Sequence, residues 1–220
     1  MGTSMSTMRL ILASNSPRRQ ELLAVLGLPF AVRSAAVDEA LVPGETPSEL
    51  VLRLAREKAC ATALAAGELL IAADTTVELD GEVLGKPESL DDARRMLEAL
   101  RGRPHAVHTG LALRSVRGLQ CDLASTAVVM RPYSAADLDA YLSSGSPMDK
   151  AGAYGIQDEP FAPVERIAGC YLNVMGLPLC HLARALRAFG LEPPADVPAT
   201  CQAHIGYDCP VFADILAGAR

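Results

Sequence analysis

The sequence predicts a single three-layer α/β domain built on a mixed, twisted sheet. Two observations lead there. Short apolar runs alternate with stretches of helical periodicity between residues 9 and 190, the order that parallel crossovers require. Asp80-Gly81 stands between two short alternating runs, the signature of a hairpin, which is antiparallel.

Residues 9–13 form the first apolar run, a strand that ends in Ser14-Asn15-Ser16-Pro17. Serine followed by proline opens a helix, and Gly27 closes it after Leu26. Residues 30–34 are a second strand candidate. From Thr46-Pro47 to 66 apolar residues recur at helical spacing (Leu50, Leu54, Ala61, Leu64) before Gly67. Residues 69–73 read as a buried strand running into Asp74-Thr75-Thr76, with the hairpin at 77–84. Residues 91–100 are helical, 106–115 and 122–130 are paired strands, and 135–143 is a helix. A strand at 161–167 and an amphipathic helix at 178–189 complete the pattern.

Residues 1–8 are expected to be a disordered lead-in, with the domain at 9–190. Residues 191–220, with Pro193, Pro194 and Pro198, read as a Pro-rich linker and a C-terminal extension of unknown role. There Cys201, His204 and Cys209 lack a fourth ligand and fit no standard zinc spacing, so a docked or frayed tail is expected. The six cysteines form no CxxC pair and read as reduced, mostly buried residues.

The chain has 220 residues, 26 acidic against 20 basic, and a net charge of −6 with no basic run, which argues against a nucleic-acid polymer as partner. No run of eighteen apolar residues exists, so no membrane span is expected. The start MGTSMSTMRL lacks a secretory signal, which points to the cytoplasm. It matches the myristoylation pattern formally, yet three Met in eight residues read as an uncertain start site. Seventeen of the cations are Arg and three are Lys: Lys58, Lys86 and Lys150.

Ser14-Asn-Ser-Pro-Arg18-Arg19 turns a strand into a helix N-terminus, where backbone N–H groups are free and the dipole is positive. Two arginines oppose that dipole, and a bound polyanion resolves the conflict. Asp74 follows five apolar residues, at the carboxyl end of a buried strand, where open α/β sheets hold ligands. Glu39 lies in the loop after the second strand; spacing alone leaves it a cap, a solvated loop acid or a ligand. Lys86 sits in Gly-Lys-Pro after the hairpin, Lys58 on the long helix, and Lys150 before Ala-Gly-Ala-Tyr-Gly-Ile-Gln. Carboxylates beside cations at an anion site point to phosphoryl chemistry.

In order, LILASNSPRRQELL, VDE, LRLAREKA, ADTTV, GKP, HTGLAL, DKAGAYGIQ and NVMGLPL resemble the Maf family of nucleotide pyrophosphatases from about residue 10 to 189. The resemblance implies an inosine-triphosphatase-like α/β fold. It implies hydrolysis of a nucleoside triphosphate to monophosphate and pyrophosphate with a divalent cation, Mg²⁺ or Mn²⁺. It makes Asp74 the general base or a metal ligand, and Glu39 a further metal ligand. It makes Arg18, Thr75 and Gln157 the positions that separate substrate classes, and Ser14, Arg18, Arg19, Lys58 and Lys86 phosphate contacts. SPRR, ADT and AGAYGIQ match the branch acting on dTTP and UTP; the branch acting on 7-methyl-GTP tends to show SPWR and SDQ. A homodimer is compatible with the resemblance, and a non-catalytic regulator of cell division is the rival reading. Asp158 stands where Gly is frequent, which puts base preference in question, and Cys170 where Ser is common. Lys150 carries no role in this reading.

Overall fold

The computed structural model describes residues 8–219, so the lead-in and its myristoylation pattern lie outside the described residues except for Met8. β1 (Arg9–Leu12) leads into α1 (Pro17–Ala24), capped by Ser16, whose hydroxyl accepts from the Arg19 amide at 3.4 Å. β2 (Phe30–Val32) is followed by α2 (Pro47–Ala61), started by a capping box in which Thr46 and Glu49 satisfy each other's backbone amides.

α2 stops at Ala61 rather than at 66. Thr62 turns extended (φ −78, ψ 130) and its hydroxyl donates to the Lys58 carbonyl at 2.8 Å, which closes the last turn. Beyond it Glu68 accepts from the Ala65 amide at 2.8 Å and from both arms of Arg33 at 2.7 and 2.9 Å, so the loop is tied down without helix.

The expected break after Ala73 is also absent. β3 is one strand, Glu68–Leu79, and returns through Asp80-Gly81 into β4 (Glu82–Leu84). Its continuity comes from β5 (Pro104–Ser115), which pairs with it antiparallel from Leu70 to Glu78. Between β4 and β5 lies α3 (Leu90–Leu100). β6 (Gly118–Met130) pairs with β5, and α4 (Ala135–Ser143) is followed by short 3-10 segments at Ser146–Asp149 and Ala151–Ala153. β7 begins at Val164 instead of 161, because Phe161 is drawn into the core between Tyr133 and Tyr141 and Ala162 takes a positive φ of 41°. α5 (Tyr171–Val174) precedes α6 (Leu179–Ala188), α7 (Val197–Ile205) and α8 (Phe212–Leu216), and of these four the sequence pattern showed α6 alone.

The strands form a mixed seven-stranded sheet in the order β2-β1-β3-β5-β6-β7, with β4 on β3. β1, β2 and β3 are parallel and the remaining pairs antiparallel. α2 covers one face, where Ala55 and Ala59 meet Ile11, Leu70, Ala72 and Ala112. The opposite face carries two apolar clusters. Leu10, Leu12, Leu69, Ile71 and Leu111 pack under α1 and α6, whereas Val77, Leu79, Val107 and Val128 pack under α3 and α4. A polar seam divides them. Thr75 and Thr109 share a hydrogen bond of 2.9 Å, Thr109 donates to the Asn173 carbonyl, and the Asn173 amide donates to the Val107 carbonyl at 2.9 Å and to Thr126 at 3.0 Å. Asn173 is fully buried, and these partners satisfy both N–H donors of its amide.

After Gly190 the chain runs to Asp196, whose carboxylate caps α7, with Pro198 in the first turn. Val197, Cys201, Val211 and Ile215 join the cluster under α6, and Cys170, Cys180, Cys201 and Cys209 line one small apolar cavity there. Among the described residues no group of three or more His, Cys, Asp or Glu is placed to hold a metal, the set of Cys201, His204 and Cys209 included. Burial pushes the thiols of Cys170, Cys180 and Cys201 up to about 12, which suits packing and not reactivity.

Burial also holds the imidazoles of His105 and His181 down at about 4. The unfolded chain takes up those protons near pH 6.5 and the folded chain only near 4, so stability is lost as pH falls across that interval. The slope reaches about 1.4 kcal/mol per pH unit for each histidine. Denaturant midpoints measured from pH 7 to 4 should show this, and His181→Leu should flatten the profile by one proton; an unchanged slope would exclude His181.

Candidate active site

β1 ends at Leu12; from it the chain crosses through α1 to β2 on one side, and from β2 through α2 to β3 on the other. A crevice forms where connections diverge like this. β1 pairs with β3 only as far as Ile71, and β4 joins β3 from Val77. On that edge, residues 72–76 of β3 therefore have no strand partner. Neighbouring residues of a strand point to opposite faces, yet Asp74, Thr75 and Thr76 all line the cleft, because it wraps around this open edge. Asp74 is thus not at the end of its strand, as the sequence led us to expect. It is mid-strand, at the place where the parallel neighbour stops.

Asp74 is 9% exposed. Its Oδ1 accepts from Lys58 Nζ of α2 at 2.5 Å, and the same ammonium lies 2.6 Å from Glu39 Oε1. Burial raises the pKa of Asp74, an effect that Lys58 and Arg19 partly oppose. This contact needs α2 close to the sheet. Gly110, the register partner of Asp74 on β5, permits it: a Cβ there would lie 2.2 Å from the Val51 carbonyl oxygen of α2.

Arg19 is held from three sides. Its Nε donates to the Gly176 carbonyl at 2.9 Å and its terminal nitrogens to Thr75 Oγ1 at 3.0 Å and Ser14 Oγ at 3.4 Å. Burial lowers its pKa, with the Asp74 charge opposing. Arg18 spans the cleft to Asp149, donating to its carboxylate and its carbonyl, both at 3.1 Å. Lys86 is exposed on the rim and makes no ion pair among the described residues. Gln157 is exposed on the wall opposite α1.

Eight of the nine residues singled out from the sequence, namely Arg18, Arg19, Glu39, Lys58, Asp74, Thr75, Lys86 and Gln157, line this one cleft. The ninth, Ser14, sits behind its wall, buried, where its hydroxyl accepts from the Ser16 amide and from Arg19. Asp158 faces away from the cleft, towards Tyr141, Ser146 and Lys150. Two residues were missed. Asp149 pairs with Arg18 across 131 positions, and no local pattern marks it. Gly110 was hidden because a glycine within an apolar run gives no sign of what its backbone will meet.

Fold and cleft define an α/β protein whose crevice has a buried carboxylate at its floor and cations around it. The comparisons narrow this. The family described as Maf-like protein matches residues 9–189, and the chain belongs to it. It is 50% identical over 194 residues to a dTTP/UTP pyrophosphatase of Anaeromyxobacter dehalogenans, covering 86% of this chain and 98% of that one. To the dTTP/UTP pyrophosphatase of Geobacter metallireducens it is 47% identical over 185 residues, 83% of this chain and 96% of the other. Among solved structures, the dITP/XTP pyrophosphatase of Mycobacterium abscessus aligns with a TM-score of 0.41 at 17% identity, covering 83% of this chain and 98% of that one.

Proposed function

We infer that this protein hydrolyses nucleoside triphosphates, dTTP and UTP foremost, to the monophosphate and pyrophosphate. The observation that carries the reading is a single cleft holding a buried carboxylate, Asp74, with Lys58, Arg18, Arg19 and Lys86 around it. Relatives at 44–50% identity that bear the name dTTP/UTP pyrophosphatase support it.

Glu39 and Asp74 converge on one point, the Lys58 ammonium, at 2.6 and 2.5 Å. Two carboxylates beside phosphate oxygens are a donor set that suits Mg²⁺ or Mn²⁺. Such a cation, when bound, polarises phosphate and acidifies water. Asp74, its pKa raised by burial, accepts the proton of the attacking water or serves as a metal ligand. Lys58 and Arg19 are preorganised against charge developing on the leaving pyrophosphate. Lys86, without an ion pair among the described residues, meets the incoming polyphosphate, and Arg18 exchanges Asp149 for phosphate oxygens. The Gln157 amide presents both donor and acceptor to a pyrimidine edge. Thr75 reaches the nucleotide through Arg19, since its hydroxyl is already held by Arg19 and Thr109. Among the described residues no helix is long and apolar enough to cross a membrane.

A panel of UTP, dTTP, CTP, GTP, ATP and 7-methyl-GTP, scored for pyrophosphate release with Mg²⁺ and with Mn²⁺, tests this. UTP and dTTP should exceed the rest by about tenfold or more in kcat/KM. Preference for 7-methyl-GTP would overturn the base assignment. Absence of metal-dependent turnover on every nucleotide would overturn the enzymatic reading in favour of a nucleotide-binding regulator.

A further inference from the structure

The wall that carries Gln157 is anchored by a buried charge pair, Asp158 with Lys150, of which Lys150 also lines the cleft. The Asp158 carboxylate is 13% exposed and the Lys150 side chain 10% exposed, with Nζ and Oδ2 3.4 Å apart. Burial of two charges is tolerable only when hydrogen bonds complete both. Here they do. Asp158 accepts from the Tyr141 hydroxyl and from Ser146 Oγ at 2.9 Å. Lys150 donates to the Ser146 carbonyl at 2.6 Å, to Ser146 Oγ at 2.9 Å and to Asp149 at 2.9 Å.

Next to the pair, the backbone on both sides of Gln157 is held, and the Asp158 carboxylate acts on it through the Tyr141 hydroxyl. The Tyr141 hydroxyl accepts from the Gly155 amide at 3.2 Å, and the Asp158 amide donates to the Gly155 carbonyl at 3.1 Å. A Cβ at Gly155 would lie 2.6 Å from Asp158 Oδ1, so the chain presses directly on the carboxylate. Tyr141 in turn stacks on Phe161 at 4.1 Å, which ties the anchor to the core. Gln157 itself makes no hydrogen bond among the described residues. Its backbone anchor therefore sets the Cα–Cβ direction from which its amide reaches the cleft.

We propose that Asp158, paired with Lys150, is a positioning residue that fixes the Gln157 amide for recognition of the pyrimidine. The proposal rests on the pyrimidine reading above and assigns Lys150 a part in it. A rigid anchor lowers the ordering cost of binding, so its loss weakens binding more than chemistry.

The test is a double-mutant cycle in steady-state kinetics on UTP and dTTP. Asp158→Gly should raise KM about tenfold while kcat changes by less than about twofold. Asp158→Asn, which keeps an acceptor for Tyr141 and Ser146, should restore most of the loss. Gln157→Ala combined with Asp158→Gly should be no worse than Gln157→Ala alone, because the second change removes a support whose load is already gone. Hydrogen exchange gives a readout without turnover, and Asp158→Gly should quicken it in residues 146–158. If Asp158→Gly does not fold, the same cycle is run with Tyr141→Phe, which removes the hydroxyl shared by Asp158 and the Gly155 amide. Additive losses in the cycle, or a loss of thermal stability with KM unchanged, would overturn the proposal. A wild-type chain that turns over no pyrimidine triphosphate would overturn the underlying reading and the proposal together. Wild-type turnover with an additive cycle overturns the proposal alone.

Discussion

Asp74→Asn is expected to lower turnover of dTTP and UTP by about 10²–10⁴-fold while leaving the fold intact. The amide cannot accept a proton or serve as an anionic ligand, yet it has nearly the same shape. Stability should not fall. Burial raises the pKa of Asp74, so the native state holds this proton more tightly than the unfolded chain does. Stability is therefore lost as pH rises through the interval between the two values, and above it the ionised carboxylate weighs against folding. Removing its charge relieves that cost, and Lys58 keeps Glu39 at 2.6 Å. The thermal midpoint of Asp74→Asn should equal or exceed that of the wild type. A folded variant with wild-type turnover removes Asp74 from the mechanism.

The largest structural effect is expected at Gly110. A Cβ there would lie 2.2 Å from the Val51 carbonyl oxygen, 2.5 Å from its carbon and 2.8 Å from the Leu52 nitrogen. All three atoms are α2 backbone, so no rotamer change can relieve the overlap and the helix itself must move. Overpacking in cores commonly costs 1–3 kcal/mol, and a clash between backbones belongs at the upper end, so Gly110→Ala should cost about 3 kcal/mol or more. Displacing α2 also carries Lys58 away from Asp74, so the folded fraction should lose activity as well. Denaturant unfolding checks the first effect and specific activity the second. Stability retained within about 0.5 kcal/mol would show that the close approach is dispensable.

Much of the site was legible without coordinates. Arg18, Arg19, Glu39, Lys58, Asp74, Thr75, Lys86 and Gln157 could be singled out along the chain, and the cleft gathers them. Helix starts were legible too, because caps act within three residues: Ser16 with Arg19, Thr46 with Glu49, Ser134 with Asp137. Less legible were the points where a distant partner overrules a local signal. The end of α2 depended on Thr62 and Glu68, and β3 ran through Asp74 because β5 accompanied it. Asp158, beside Gln157 in sequence, turned to Tyr141 and Lys150 and away from the cleft.

The sequence by itself determined the α/β class, the starts of the helices with side-chain caps at Ser16, Thr46 and Ser134, the family and the residues that line the cleft, since these depend on short-range spacing and residue chemistry. The tertiary structure alone decided which group each residue meets. Arg19 finds Gly176 across 157 positions, Gly110 lets α2 reach the sheet, and the thiols of Cys170 and Cys180 share one cavity with Cys201 and Cys209 of the C-terminal segment. Such meetings depend on how helices and strands pack, and packing is set by the whole chain at once.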